Sequence, residues 1–308
     1  MPEGPEVTIL SQYLLTKLKG RLIEKLEVLS GKYLTKTLVG INLLNGTNNF
    51  KIINIESHGK LIWMTLKNVN NNENIYLVSH LGLTGEWGFY EGNNDRIKIT
   101  IGNSADKKKY SLYYNDSRNF GNIYIYKDKE DLSSKVELLA PDALKTNFSD
   151  EDFLQMVKKY TEKSNKKNRS IFVVLMNQTT KDGLLSGLGN YLTPEILYRA
   201  KISPFREIGS LNNNDIKNLS HSIKYTTKLS YYNNTTGYMT NFGSFIKTHK
   251  EKIDNGKYPE YHSETKLKEN TFKFNVYRQK EDPLGNEVER DVTINNGRTV
   301  YWVSAIQK

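Results

Sequence analysis

The first six residues, Met-Pro-Glu-Gly-Pro-Glu, combine a potential nucleophile with a proton carrier. Removal of the initiator Met1 is expected to expose the secondary amine of Pro2 beside the carboxylate of Glu3. Such an amine attacks a sugar aldehyde carbon to give a positively charged iminium, an electron sink like that of a Schiff-base lysine. A free α-amino group has a pKa of about 7.7 to 8.0, so part of it is unprotonated near neutrality. The alternative is ordinary helix-start chemistry, with proline in the first turn and acids near the positive end.

A helix is predicted to hold this terminus. Val7, Leu10, Leu14 and Leu18 recur at spacings of three and four residues, which is typical of an amphipathic helix, and Gly20 would end it. The terminal nitrogen would then belong to an ordered element.

The charge balance indicates a polyanionic partner. The 308 residues carry a net charge of +10, which favours nucleic acid over a membrane because no strongly apolar basic helix is evident. No apolar run is long enough to cross a bilayer and no secretory signal is evident, so we expect an intracellular protein.

The absence of cysteine excludes several classes of site. Disulfides, thiolate nucleophiles and sulfur-ligated zinc or iron–sulfur centres all require that residue. The five histidines and the carboxylates show no metal-type spacing, so neither a metal nor a cofactor is predicted.

The remaining patterns predict strands, then helices, then a hairpin. Short β-prone runs separated by turn residues favour a β-sandwich; they are Leu61–Lys67, Ile75–Ser79, Arg96–Ile101, Lys109–Tyr114 and Asn122–Tyr126. Helical patterns follow, the first of them capped by Ser149, with others at Ser170–Gln178, Pro194–Arg199 and Asp215–Tyr231. Lys127–Asp150 is the predicted connection, and β-like alternation resumes from Thr271 with a tight turn at Asn295-Asn296-Gly297.

Five short segments follow one another along the chain: PEGPEV at 2–7, His80–Gly85, Asp116–Gly121, GLGNYLTPEILYRAKISP at Gly187–Pro204, and Gly297–Thr299. Together they resemble the formamidopyrimidine-DNA glycosylase and endonuclease VIII family. Each piece is weak alone, but their order from residue 2 to residue 299 covers essentially the whole chain.

This resemblance implies an α+β multidomain fold. An N-terminal helix and two-layered β-sandwich would occupy 1–134, followed by a linker at 135–150. A helix-two-turn-helix domain would occupy 151–270 and a β-hairpin finger 271–308. Family members usually bind zinc through four cysteines in that finger, and this chain has none. The finger therefore resembles the zincless form of the endonuclease VIII-like branch found in animals and some giant DNA viruses, and we expect strand pairing and aromatic packing to fold it.

The resemblance also implies a bifunctional glycosylase and abasic-site lyase acting by β,δ-elimination. Pro2 would attack the sugar carbon, and Glu3 would move protons during ring opening and elimination. Glu6 matches the family pattern too, although a helix-start role explains it equally well.

Three residues match phosphate-contacting positions of the family. Lys60 follows His58-Gly59, and in isolation a solvated lysine at a strand end is the more economical explanation. Asn190 ends a Gly-Leu-Gly-Asn run, where it would be an N-cap that also contacts a phosphate. Arg298 would offer a forked donor from the hairpin, and Lys60 and Arg298 are also counted with the catalytic residues.

Three further residues match void-filling positions: Leu83, Arg118 and Phe120. Apolar wedges unstack base steps, and an arginine hydrogen-bonds the orphaned base. Leu83 stands where methionine is commonest in the family. Without the resemblance, Leu83 and Phe120 would be interpreted as core residues at loop edges.

Substrate and partner predictions follow from the branch. We expect the enzyme to favour oxidised pyrimidines and hydantoins over 8-oxoguanine. It would act as a monomer on double-stranded and also single-stranded damaged DNA. It would be located with DNA, in a nucleus, a nucleoid or a viral replication site. Gly237–Tyr258, with Lys247, Lys250 and Lys252, occupies the place of a variable lesion-facing loop. Two alternatives are a non-catalytic helix-two-turn-helix DNA-binding protein, which has no use for a free proline, and a hydrolytic nuclease, which would need a carboxylate metal cluster.

Overall fold

The computed structural model describes residues 2–44, 49–102, 109–162, 165–233, 243–294 and 297–308. Its described residues fall into two compact units. The first takes them from Met1–Pro2, Glu6–Glu137 and Tyr238–Phe245, and the second takes them from Glu3–Pro5, Leu138–Gly237 and Ile246–Lys308. Asn295 and Asn296 of the predicted hairpin turn lie outside the described residues.

Helix α1 (Gly4–Leu18) confirms the helix predicted at the N-terminus. Its apolar positions Val7, Leu10, Leu14 and Leu18 are all at most 2% exposed, because the three- and four-residue spacing places them on one face.

Eight strands form the body of the first unit: β1 (Leu22–Val28), β2 (Phe50–His58), β3 (Leu61–Asn68), β4 (Asn74–His80), β5 (Glu86–Gly88), β6 (Asp95–Gly102), β7 (Tyr110–Asn115) and β8 (Asn122–Tyr126). They join in one antiparallel hydrogen-bonded set in the order β5-β7-β6-β1-β2-β3-β4-β8, which makes the N-terminal β-sandwich. The five predicted strands are confirmed, and β1, β2 and β5 add to them. In β3 and β6 buried residues alternate with partly exposed ones, as expected of strands with one face on a core.

Helix α2 (Lys129–Glu137) lies within the stretch predicted as a connection. Its Leu132 packs against Tyr76 and Val78 of β4, so this part of the stretch belongs to the first unit.

The second unit contains helices α3 (Asp150–Thr161), α4 (Ile171–Met176), α5 (Leu192–Ala200) and α6 (Asn213–Tyr232). Ser149 caps α3 as predicted, in a capping box with Asp152, and Asn212 and Asp215 form the same arrangement on α6. Helix α7 (Gly243–Asp254) lies in the segment predicted to face a lesion. Lys250 and Lys252 place their ammonium groups over the rings of Tyr232 and Tyr258, whereas the side chain of Lys247 lies outside the described part.

The C-terminal hairpin pairs β9 (Glu289–Asp291) with β10 (Val300–Trp302), and Val300 lies opposite Asp291. Beneath it Val276, Val288 and Val303 form a buried cluster. The ring of Tyr301 lies 5.3 Å from that of Tyr277, so strand pairing is accompanied by the expected aromatic packing.

Two kinds of feature are absent from the described residues. None of their helices is long and apolar enough to cross a membrane. They also contain no group of three or more histidines, aspartates or glutamates suited to a metal ion.

Candidate functional site

The carboxylate of Glu3 is fixed at the start of α5. Its Oε1 accepts a hydrogen bond from the backbone N–H of Tyr191 at 2.9 Å, and its Oε2 accepts one from that of Leu192 at 3.2 Å. The side chain is 0% exposed. The unpaired N–H groups and the positive dipole end of a helix suit an anion, so this carboxylate occupies a favourable site.

The neighbouring backbone reinforces that placement. Gly4 donates its N–H to the carbonyl of Gly187 at 2.8 Å, and a Cβ at Gly4 would lie only 3.0 Å from the Cα of Gly187. The predicted phosphate-binding turn before α5 therefore holds the N-terminal segment closely. Asn190 is half-buried beside this contact, and Pro2, also half-buried, is joined to Glu3 by one peptide bond.

Glu6 lies on α1 in the first unit and is 0% exposed. Its burial fits either interpretation given for it above.

Lys60 lies in the two-residue turn between β2 and β3 and is half-buried. The next residue, Leu61, pairs with His80 across the β3–β4 ladder. Desolvation by surrounding protein atoms and the positive charge of Lys60 together lower the pKa of His80. Lys60 therefore lies close enough to His80 to influence its titration from the turn at the end of β2.

The three predicted void-filling residues lie on two loops of the first unit. Leu83 is in the loop 81–85 between β4 and β5, while Arg118 and Phe120 are in the loop 116–121 between β7 and β8. Arg118 is exposed and Phe120 is 58% exposed, so Phe120 is not a core residue. The two loops are neighbours, because a Cβ at Gly82 would lie 2.7 Å from the backbone nitrogen of Gly121.

Arg298 is exposed in the loop that joins β9 to β10. Two carboxylates that sequence reasoning missed support the backbone leading to this loop. Glu195, buried in α5, accepts the N–H groups of Asn275, Val276 and Tyr277 at 2.9 to 3.0 Å. Glu195 lies within the quoted segment Gly187–Pro204, but no local pattern indicated its partner.

The second of these carboxylates is Asp282. It accepts N–H groups from Leu284 and Asn286 and the hydroxyl of Tyr198 at 2.8 to 3.0 Å. Desolvation opposes its ionisation, but these hydrogen bonds and that of the Asn286 side chain outweigh it and lower the pKa of Asp282. The sequence Asp-Pro-Leu-Gly at 282–285 is a turn signal that could have identified it.

The usual zinc of the finger does not fit this chain. The sequence contains no cysteine, and no group of metal-binding side chains lies among the residues described around the hairpin. At the base of the hairpin, packing of the buried valines and the hydrogen bonds of Asp282 hold the chain instead.

Comparison with known proteins decides the family. Three family models match: the formamidopyrimidine-DNA glycosylase N-terminal domain at residues 1–123, its H2TH domain at 139–240 and its C-terminal domain at 263–308. A formamidopyrimidine-DNA glycosylase of Prochlorococcus marinus (strain MIT 9312) is 31% identical over a 245-residue alignment, and the match covers 75% of this chain and 80% of the relative. The chain belongs to the formamidopyrimidine-DNA glycosylase family.

Solved structures of the family share the fold. A complex of wild-type Lactococcus lactis Fpg (MutM) with DNA containing an oxidised pyrimidine gives a TM-score of 0.73 at 21% identity and covers 100% of both chains. A complex of the same enzyme with FAPY-dG DNA gives 0.72 at 20% identity, covering 99% of both chains. These confirm the α+β fold with its β-sandwich, H2TH domain and C-terminal domain.

Family membership makes the protein a DNA glycosylase of base excision repair, in a family whose members also have abasic-site lyase activity. The relatives carry the formamidopyrimidine-DNA glycosylase name, so kinship with the endonuclease VIII-like branch stays a prediction. They come from bacteria, which gives the suggested viral replication site no support.

Proposed function

We propose that this glycosylase is bifunctional and works through an iminium formed by Pro2. The Pro2 nitrogen bonds to the anomeric carbon as the bond from that carbon to the damaged base breaks, and the proton that the amine loses goes to the departing base. Glu3, protonated from water, then delivers a proton to the sugar ring oxygen; the bond between this oxygen and the anomeric carbon breaks, and the lone pair of the Pro2 nitrogen forms the iminium. The iminium acidifies the neighbouring sugar carbon, and β,δ-elimination cleaves the strand.

The anchored Glu3 carboxylate carries this proposal. A proton carrier contributes only when it is held within reach of the reacting group. The N–H groups of Tyr191 and Leu192 restrict the carboxylate through hydrogen bonds, and the peptide bond to Pro2 keeps the nitrogen beside it. A protein that only bound DNA would have no need of a free proline amine.

Phosphate contacts are assigned to three residues. Lys60 stands at a strand end, Asn190 lies beside the start of α5, and Arg298 is exposed on the hairpin loop. With a net charge of +10, the protein is suited to releasing counterions from DNA, so its affinity should fall as salt rises. We propose a monomer that acts on duplex and also single-stranded damaged DNA inside the cell.

For the lesion we propose oxidised pyrimidines and hydantoins, with 8-oxoguanine as the weaker substrate. The Lactococcus lactis enzyme has been captured on DNA with an oxidised pyrimidine, which makes this class sterically reasonable for the shared fold. Turnover of thymine glycol, a hydantoin and 8-oxoguanine in otherwise identical duplexes measures the preference directly.

Borohydride trapping tests the mechanism, because reduction converts the iminium into a permanent bond. Protein with a free Pro2 should become crosslinked to duplexes containing thymine glycol or an abasic site, and peptide mapping should locate the bond at Pro2. The Pro2→Gly variant should trap less and release base more slowly.

A matched pair of proteins controls for the terminus. One carries a C-terminal tag and a free Pro2, and the other carries the same tag with one extra residue retained before Pro2. Undiminished trapping by the blocked protein would refute the role of Pro2, and no trapping by either would remove the lyase assignment.

A further inference from the structure

The two loops that carry the predicted void-filling residues both run from one of two strand pairs to the other. The loop 81–85 runs from β4 to β5 and the loop 116–121 runs from β7 to β8, while β4 pairs with β8 and β5 pairs with β7. Each loop therefore joins an edge strand of the β order, β5 or β8, to the strand that pairs with the opposite edge strand.

Asp116 joins the loops at their centre and is 1% exposed. Its Oδ1 accepts the hydroxyl of Thr84 at 2.5 Å, and its Oδ2 accepts the N–H of Gly121 at 2.7 Å. The Thr84 hydroxyl oxygen accepts the N–H of Arg118 at 3.1 Å. Thr84 is thus hydrogen-bonded to the Asp116 side chain and to the Arg118 backbone of the other loop, and its neighbour in sequence is Leu83.

Hydrogen bonds from other parts of the first unit also hold the loop 116–121. Arg96 donates to the carbonyls of Asp116 at 2.8 Å and Ser117 at 3.3 Å. Lys32 donates to the carbonyl of Gly121 at 2.5 Å. The backbone on both sides of Arg118 and Phe120 is therefore fixed, although both side chains are exposed.

Tyr114 sets the spacing between the loops. Its hydroxyl donates to the carbonyl of Leu81 at 3.4 Å, and burial raises the pKa of this phenol, so it stays neutral. A Cβ at either Gly85 or Gly121 would clash with the phenol oxygen. Both loops thus approach the buried hydroxyl of Tyr114 so closely that only glycine fits at positions 85 and 121.

We propose that Thr84 and Asp116 are positioning residues that lock the two loops into one rigid body, so that Leu83, Arg118 and Phe120 enter the duplex together. This rests on the proposed void-filling roles of those three residues. Side chains that must be ordered separately lose conformational entropy on insertion, whereas a preorganised set has already lost most of it.

The test compares Thr84→Val with Thr84→Ser. Valine has the shape of threonine without its hydroxyl, so it removes both the donor to Asp116 and the acceptor for Arg118, while serine keeps them. The readout is the fluorescence of 2-aminopurine placed opposite a tetrahydrofuran abasic analogue, which rises when the partner base is unstacked. No chemistry occurs on this analogue, so the result stands whether or not Pro2 forms an iminium.

We expect Thr84→Val to raise the protein concentration needed for half-maximal fluorescence by about tenfold, as for a lost buried hydrogen bond, and to slow duplex lesion turnover in proportion. Thr84→Ser should follow the wild type, as should Thr65→Val, a control substitution in β3. The proposal would be overturned if Thr84→Val reached half-maximal fluorescence at the same protein concentration as the wild type. It would also be overturned if Thr84→Ser required as large an increase in concentration as Thr84→Val.

Coupling between the loops supplies a second measurement. In the wild type the effects of Leu83→Ala and Phe120→Ala on the fluorescence should be non-additive, because the two residues insert as a unit. In the Thr84→Val background the same two effects should become additive. Additivity in both backgrounds would show that the loops act independently.

Discussion

The carboxylate of Glu3 accepts a hydrogen bond from the backbone N–H of Tyr191 at 2.9 Å, although the two residues are 188 positions apart in the chain. This contact turns an N-terminal dipeptide into part of an ordered site, because it fixes the acid beside the amine that we propose as the nucleophile.

Replacing that acid should slow catalysis while DNA binding persists. Glu3→Gln keeps the size of the side chain but cannot move a proton, and general acid–base groups contribute about 10²- to 10⁴-fold. We expect base release from thymine glycol DNA to fall within that range, with affinity for an abasic-analogue duplex unchanged. The exposed Glu137→Gln controls for loss of charge, and Glu6→Gln asks whether the second N-terminal acid matters. Wild-type turnover in Glu3→Gln would remove Glu3 from the mechanism.

Removing Lys60 should weaken binding more than chemistry. Loss of one phosphate contact reduces the slope of log affinity against log salt by about 1. Fluorescence anisotropy of Lys60→Ala at several salt concentrations measures this slope. Lys25→Ala is the matched control, since Lys25 is 66% exposed and pairs with Glu27. An unchanged slope in Lys60→Ala would mean that Lys60 is only a solvated strand-end lysine.

Acid should loosen the hairpin through Asp282. Its pKa is lower in the folded protein than the ordinary value of about 3.9, so its ionised form stabilises the fold above that value. This contribution is lost as the pH falls through the folded-state pKa. We expect Asp282→Asn to lower the free energy of unfolding in urea by about 1 to 3 kcal/mol at pH 7, and by less in acid. Equal losses at pH 7 and in acid would contradict the hydrogen-bond account, and Asp128→Asn, an exposed aspartate, is the control.

Chelators should leave the hairpin intact. The sequence has no cysteine to bind zinc, and Asp282 and the valine cluster provide contacts at the hairpin base. We expect phenanthroline to change neither the melting temperature nor borohydride trapping, whereas a family member with a four-cysteine finger should lose activity. If phenanthroline lowered the melting temperature or the trapping and added zinc restored it, the finger would depend on metal.

Periodicity alone was sufficient for much of the fold. The buried stripe of α1 and the alternation in β3 and β6 are local patterns, so the sequence predicts these elements to within a few residues. Strand β5 is only three residues long and α2 has one buried residue, so neither produces a readable pattern. Both depend on partners that are distant in sequence.

The order of the short motifs is sufficient to predict the family, and the types of Pro2, Glu3, Lys60 and Arg298 predict their chemistry. The tertiary structure decided which polar groups support them: Tyr191 for Glu3, the 275–277 backbone for Glu195, and Thr84 with Gly121 for Asp116. A sequence shows which side chains can donate or accept a hydrogen bond, but a buried group's partner is fixed only when the folded backbone excludes water and brings distant atoms within about 3 Å.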